Sequence, residues 1–232
     1  MRVVLAAAML VALVGCLALR PTDRAMDVSV SRAAAPGEGE PTDALALAAK
    51  AMQAGDNPTA IQQLKSYLRD RPNALMVRAY LAELHYRNGD VPDAVAQYER
   101  FTRQASTHGS AEARKHRVHG HTRLMELAAT QDDEAAEALH RGIGLVLLVL
   151  NWEADGADVP AAEIEAALCQ AQASLHAAAQ FTGTQGHAWG YLAAVYHRLG
   201  QLPASRNALA RCRRDYAEAS IPPDVLLLWP TD

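Results

Sequence analysis

The sequence predicts an all-α fold, an array of antiparallel helical hairpins stacked as a solenoid. Two observations carry this. The pattern from Asn73 to Ser106 repeats one at about Thr42 to Arg71 with an offset of 34 residues, so Gly89-Asp90 matches Gly55-Asp56 and Ala94-Val95 matches Ala60-Ile61. A related pattern returns at Trp189 to Leu209, and paired helical segments at this period are the mark of a hairpin repeat. Composition agrees: apolar residues are 50% and alanine-rich while aromatics are 5%, which favours helices packed through small side chains.

The chain opens with Arg2 followed by an apolar run of 12 residues, Val3 to Val14, that ends at Leu13-Val14-Gly15-Cys16. A charged start, a short apolar core and small residues at its end describe a secretory signal over 1–16. Leu13 to Cys16 resembles the bacterial lipoprotein lipobox, in which the cysteine is lipid-modified and becomes the first residue of the mature chain. The resemblance implies lipidation at Cys16, and Leu17 at the next position resembles the pattern of outer-membrane sorting on the periplasmic side. Two alternatives stay open: Val3 to Leu19 retained as a single membrane anchor at the short limit for spanning, or cleavage after Ala18 to release a secreted protein. Residues 17–41 carry Pro21, Pro36, Gly37, Gly39 and Pro41 with little periodicity. Such a segment is expected to be a disordered tether, holding the body roughly 25–30 Å from its anchor.

The repeat domain is placed at 42–221. Thr42 or Asp43 can cap the first helix, with Ala44, Leu47, Ala48 and Ala51 at helical spacing. Gly55-Asp56-Asn57 ends it, Pro58 starts the next helix where its missing N–H costs nothing, and Pro72 stops that one. The second hairpin copies the register, with Pro92 in the role of Pro58. Ala48 and Ala60, like Ala82 and Ala94, let paired helices approach, while Leu64, Tyr67, Tyr98 and Phe101 fill the layer between hairpins.

These residues resemble the tetratricopeptide repeat (TPR) family, whose pattern is W-x2-L-G-x2-Y…A-x3-F…P. The late copy matches best, at Trp189, Leu192, Ala193 and Tyr196, then Gly200, Ser205 and Leu209. The middle copy has Leu81, Ala82, His85, Ala94 and Tyr98, and the first has Leu47, Ala48, Ala60, Leu64 and Pro72. Arg78 and Ala44 stand where the family has tryptophan, and Ala51 where it has a larger aromatic. The resemblance implies a right-handed superhelical α-solenoid of about nine antiparallel helices. It also implies a concave groove lined by the first helix of each hairpin, which carried over by register gives Met76, Ala79, Glu83, Tyr86 and Arg87, then His187, Gly190, Ala194, His197 and Arg198. Tyr86 and Arg87 form an aromatic-plus-cation pair of the kind enriched at binding hot spots. The clamp that chaperone-binding members use for a C-terminal carboxylate is not reproduced.

Between Ser106 and Gly186 the register slips. Ser110 to Thr130 reads as a helix, Gln131-Asp132-Asp133 as turn and cap, and a further helix runs to about Trp152. Its Ile143 to Leu150 stretch is apolar all round and expected to be buried on every side, with a buried strand as the alternative. Val118 to Trp152 is taken as a degenerate third hairpin, and Pro160 to Phe181 as an extra helix. Residues 222–232 follow as a tail, read as a cap on the last helix with an exposed partner-binding peptide as the alternative.

Chemistry is sparse. His116, His119, His121 and His140 could suggest a metal, but Arg114, Lys115 and Arg117 among them favour a solvated basic face. Cys169 and Cys212 occupy alanine-like helical positions and read as buried small residues. No phosphate loop, nucleophile elbow or HExxH helix is present, so neither catalysis nor a cofactor or metal is expected. Six basic residues against two acids from Glu99 to Arg123 precede ten acids against Arg141 from Glu126 to Glu165. That contrast is expected to pair internally, with a self-complementary surface as the alternative, and the net charge of −4 suggests no nucleic-acid partner. The function expected is a non-catalytic scaffold or assembly factor in the bacterial envelope, holding another envelope protein or peptide segment. The alternative is a self-associating structural periplasmic TPR protein without a dedicated ligand.

Overall fold

A computed structural model describes residues 43–106 and 110–215. Cys16, the signal-like segment, the tether at 17–41 and the tail at 222–232 lie outside the described residues, as does Thr42. Among those described there are nine α-helices: α1 (Asp43–Gln53), α2 (Asn57–Asp70), α3 (Leu75–Arg87), α4 (Val91–Ala105), α5 (Ala111–Thr130), α6 (Glu134–Ala154), α7 (Ala161–Ala178), α8 (Gln185–Arg198) and α9 (Leu202–Asp215). The fold is all-α and TPR-like. None of these helices is long and apolar enough to cross a membrane.

The turns explain the repeat. The helix-ending glycines Gly55, Gly89 and Gly200 have φ of 73°, 75° and 72°, left-handed values that a Cβ disfavours. After each, the following N–H reaches back across the last turn: Asp56 N to Ala51 O at 2.9 Å, Asp90 N to His85 O at 2.9 Å, Gln201 N to Tyr196 O at 2.8 Å. This closes the orphan carbonyls in a Schellman arrangement and turns the chain into the next helix. The turn after α5 does the same with Asp133 N on Ala128 O at 3.0 Å, but there Asp132 holds the left-handed position with φ 56°. The slipped register therefore changed the turn residue while keeping the turn. Ser110 caps α5 by accepting from Ala113 N at 3.1 Å. Ser110→Ala should lower stability by about 1 kcal/mol in urea unfolding, since that N–H then has no protein acceptor in the first turn.

The chain forms two compact units, one ending at Val77 and the other beginning at Arg78, so the boundary falls within α3. In the first, α1 packs on α2; Ala48, Ala60 and Leu64 are fully buried there, in keeping with their expected role as close-packing and layer-filling residues.

The second unit holds the remaining helices. Ala82, Ala94, Tyr98, Leu124 and Leu127, from α3, α4 and α5, form one buried cluster. Helix α6 packs closely on both α5 and α7, and α7 also packs on α8 before α8 and α9 close the final hairpin. The apolar stretch of α6 is helical, with Ile143, Leu145, Val146, Leu147 and Val149 buried, so the strand alternative does not hold. Two residues at consensus-aromatic positions are polar and buried. Arg78 donates from Nε to Gln104 Oε1 and from Nη1 to Gln97 Oε1, both at 3.0 Å, and His85 Nδ1 lies 3.2 Å from Asp90 Oδ2. One cysteine expectation is corrected: Cys212 is buried but Cys169 is exposed. The inward stripe of α7 runs through Leu168, Ala171, Leu175 and Ala178, and Cys169 sits one residue, about 100°, off it.

Candidate functional site

The face of α3 predicted to meet a ligand is organised around a carboxylate that faces inward. Glu83 is 4% exposed. Tyr98, on α4, donates its hydroxyl to Glu83 Oε2 at 2.6 Å. Arg87, one turn on, donates Nε to Oε1 at 2.9 Å. From α5 come His119 Nε2 at 3.2 Å and Arg123, whose Nε and Nη2 each approach within 3.4 Å. A carboxylate only accepts, so His119 carries its proton on Nε2. Burial by itself would raise the Glu83 pKa; the bonds from His119 and Tyr98, the Arg123 charge and the Arg87 bond outweigh it and hold the carboxyl well below the usual range. Burial and the Glu83 charge push the Tyr98 phenol far up. The proton therefore stays on Tyr98 and the charge on Glu83.

A second layer lies nearer solvent. Arg123 also donates Nη1 to Glu126 at 2.8 Å, and its guanidinium stacks 4.2 Å from the Tyr86 ring centroid. The Tyr86 hydroxyl donates to Glu126 at 2.9 Å. Burial opposes the Arg123 charge, but the Glu126 bond and the Glu83 charge raise its pKa further. Tyr86 is thus fixed at its hydroxyl by one bond and at its ring by a cation, while the Arg87 side chain is 45% exposed. Fixing side chains before binding reduces the entropy lost on contact.

The ten groove positions separate by burial. Ala79, Glu83, Gly190 and Ala194 are buried, so they belong to the packing and present no side chain to a ligand. Met76, Tyr86, His187 and His197 are partly exposed, and Arg87 and Arg198 are exposed. Arg198 is in turn paired with Glu153 of α6. The two sets lie on α3 and α8, and the structure gives only the α3 set an aromatic–cation arrangement with partners from other helices.

Sequence reading missed Tyr98, His119, Arg123 and Glu126 as members of this cluster. His119 and Arg123 stand 36 and 40 residues beyond Glu83, on the helix where the repeat period fails, so register could not align them with α3. The basic-face reading is also corrected. Lys115 lies at the surface and Arg114 is partly exposed, at 3.3 and 3.8 Å from Asp155, which is the internal pairing of basic and acidic stretches. Arg117 and His121, however, are buried, because their positions on α5 face neighbouring helices. Among the described residues no group of three or more His, Cys, Asp or Glu side chains is placed to hold a metal ion.

No family model and no curated protein matches the chain. Two solved structures resemble it. The crystal structure of MamA is 17% identical, covering 73% of this chain and 94% of its own, with a TM-score of 0.35. A second, titled crystal structure of MamA protein, is 16% identical over 75% of this chain and 90% of its own, with a TM-score of 0.37.

Proposed function

We propose that the chain is a non-catalytic scaffold of the cell envelope that holds another envelope protein or peptide segment on the α3 face around Tyr86 and Arg87. The observation that carries this is the locked aromatic–cation pair: Tyr86 is held between Arg123 and Glu126, with Arg87 projecting beside it. Tyrosine and arginine in such fixed positions are the side chains that dominate protein interfaces. Attachment through lipid on Cys16 belongs to the same reading and rests on the lipobox-like sequence.

The test is a crosslinking pull-down from envelope extracts with the full chain, Tyr86→Ala, Arg87→Ala and, as a distant control, Arg206→Ala. A partner recovered by the wild type and by Arg206→Ala should fall about tenfold or more with either α3 variant, as expected for hot-spot side chains. Equal recovery by all four proteins would remove the α3 face from the proposal. Circular dichroism and urea unfolding of both α3 variants accompany the pull-down, because Tyr86 and Arg87 are also bonded to Glu126 and Glu83 within the fold.

A further inference from the structure

A pair of imidazoles, His121 buried and His140 partly buried, joins α5 to α6. His121 Nδ1 lies 3.2 Å from His140 Nδ1, with ring centroids 5.3 Å apart and planes inclined by 44°. An imidazole nitrogen accepts a hydrogen bond only when it carries no proton. The contact is therefore one N–H donating to one bare nitrogen, and the two rings are opposite tautomers. One added proton can go to Nε2 of the donor ring and leave the bond intact. A second must go to the accepting Nδ1, and then two N–H groups face each other at the same distance. The bond is lost and two like charges stand side by side between α5 and α6.

The surroundings oppose both protons. His121 is 6% exposed. Arg117 acts on it from one turn earlier on α5, His187 of α8 acts on both rings, and only Asp133, the cap of α6, favours charge on His140. On its other side α5 supplies His119 and Arg123 to Glu83, so movement of this helix reaches the α3 face.

We infer that the His121–His140 pair is an acid-operated latch on the α5–α6 hairpin, closed at neutral pH and released by the second proton. Burial holds His121 well below the ordinary imidazole value, with His140 and Arg117 adding to it, and burial and His187 hold His140 at about 4. Both shifts are downward, so the unfolded chain, whose imidazoles titrate near 6.5, binds more protons in the interval below that value. The stabilisation is fully present above about pH 6.5 and falls as pH drops towards 4. Carboxylates such as Glu83 begin to lose theirs only below their unfolded value of about 4.5, so loss between 6.5 and 4.5 belongs to the imidazoles.

Imidazole NMR and near-ultraviolet circular dichroism of the full chain, titrated from about pH 8 to 4, test this. The two resonances should show no midpoint near 6.5 while the tertiary signal is native, and that signal should be lost on acidification beginning above pH 4.5. His140→Gln, which cannot take the second proton, should move this loss lower by about half a pH unit or more. Ordinary titration of both rings near 6.5 in the native protein would overturn the latch. So would an acid midpoint identical in wild type and a folded His140→Gln. If that variant does not fold at pH 7, the wild-type imidazole titration decides alone.

Discussion

Glu83→Ala should lower the unfolding free energy by about 3–5 kcal/mol, the range for removing one partner from a buried charged network. The loss has two parts. Tyr98 is left with a buried hydroxyl whose 2.6 Å acceptor is gone, and unsatisfied buried polar groups are costly. Arg123, with a side chain only 14% exposed, loses one of its two carboxylates and keeps Glu126. Urea unfolding at pH 7 measures the sum. Glu83→Gln should fall between wild type and alanine, because an amide keeps one acceptor oxygen but turns an N–H towards groups that already donate. The pH dependence separates charge from shape. Glu83 is depressed in the folded state, so its contribution is present above about pH 4.5 and lost as pH falls below that value. The wild type should therefore weaken in that acid range more steeply than Glu83→Gln. Parallel curves for the two proteins would mean that the carboxylate charge contributes no stability.

Leu175→Ala should cost about 2–5 kcal/mol, and the reason lies on the opposite helix. Leu175 of α7 is fully buried and occupies the space that Gly142 of α6 leaves open. A Cβ built on Gly142 would stand 2.5 Å from Leu175 Cγ, 2.8 Å from its Cδ2 and 3.3 Å from the Ala171 carbonyl. Gly142→Ala should consequently destabilise through overpacking by about 1–3 kcal/mol, offset in part by the better helix propensity of alanine, about 1 kcal/mol. The double variant decides whether the two positions act as a fitted pair. With Leu175 shortened, the new methyl enters the vacated space, so the combined loss should be smaller than the sum of the single losses by about 1 kcal/mol or more. Additive losses, measured by thermal and urea unfolding, would show that α6 and α7 adjust independently.

How far each of these features could be read in advance depends on how local its cause is. Gly55, Gly89 and Gly200 announced their turns because a left-handed residue at a helix end is a constraint met within a few residues of chain. Pro58 and Pro92 marked helix starts for the same kind of reason. The α5–α6 hairpin was harder to place, since Asp132 takes the glycine position there and the period is lost. The fit of Gly142 against Leu175 had no local cue, because Leu175 lies on a helix that the repeat pattern does not include. Cys169 was misread because the choice between neighbouring positions on α7 depends on which face α6 and α8 cover.

The sequence by itself determined an all-α chain of TPR-like hairpins, with the places where helices start, turn and stop, because those depend on backbone sterics and on spacing along one helix. It pointed to Tyr86 and Arg87, but the structure places Arg123 on the Tyr86 ring and Arg87 on Glu83. Only the tertiary structure decided that Glu83 turns inward to hold α3, α4 and α5 together, and that His121 and His140 meet inside the fold. Those contacts join residues 15 to 40 positions apart. Their energies come from burial and charge at a crossing of helices, and no periodicity along the chain encodes which side chains a crossing brings face to face.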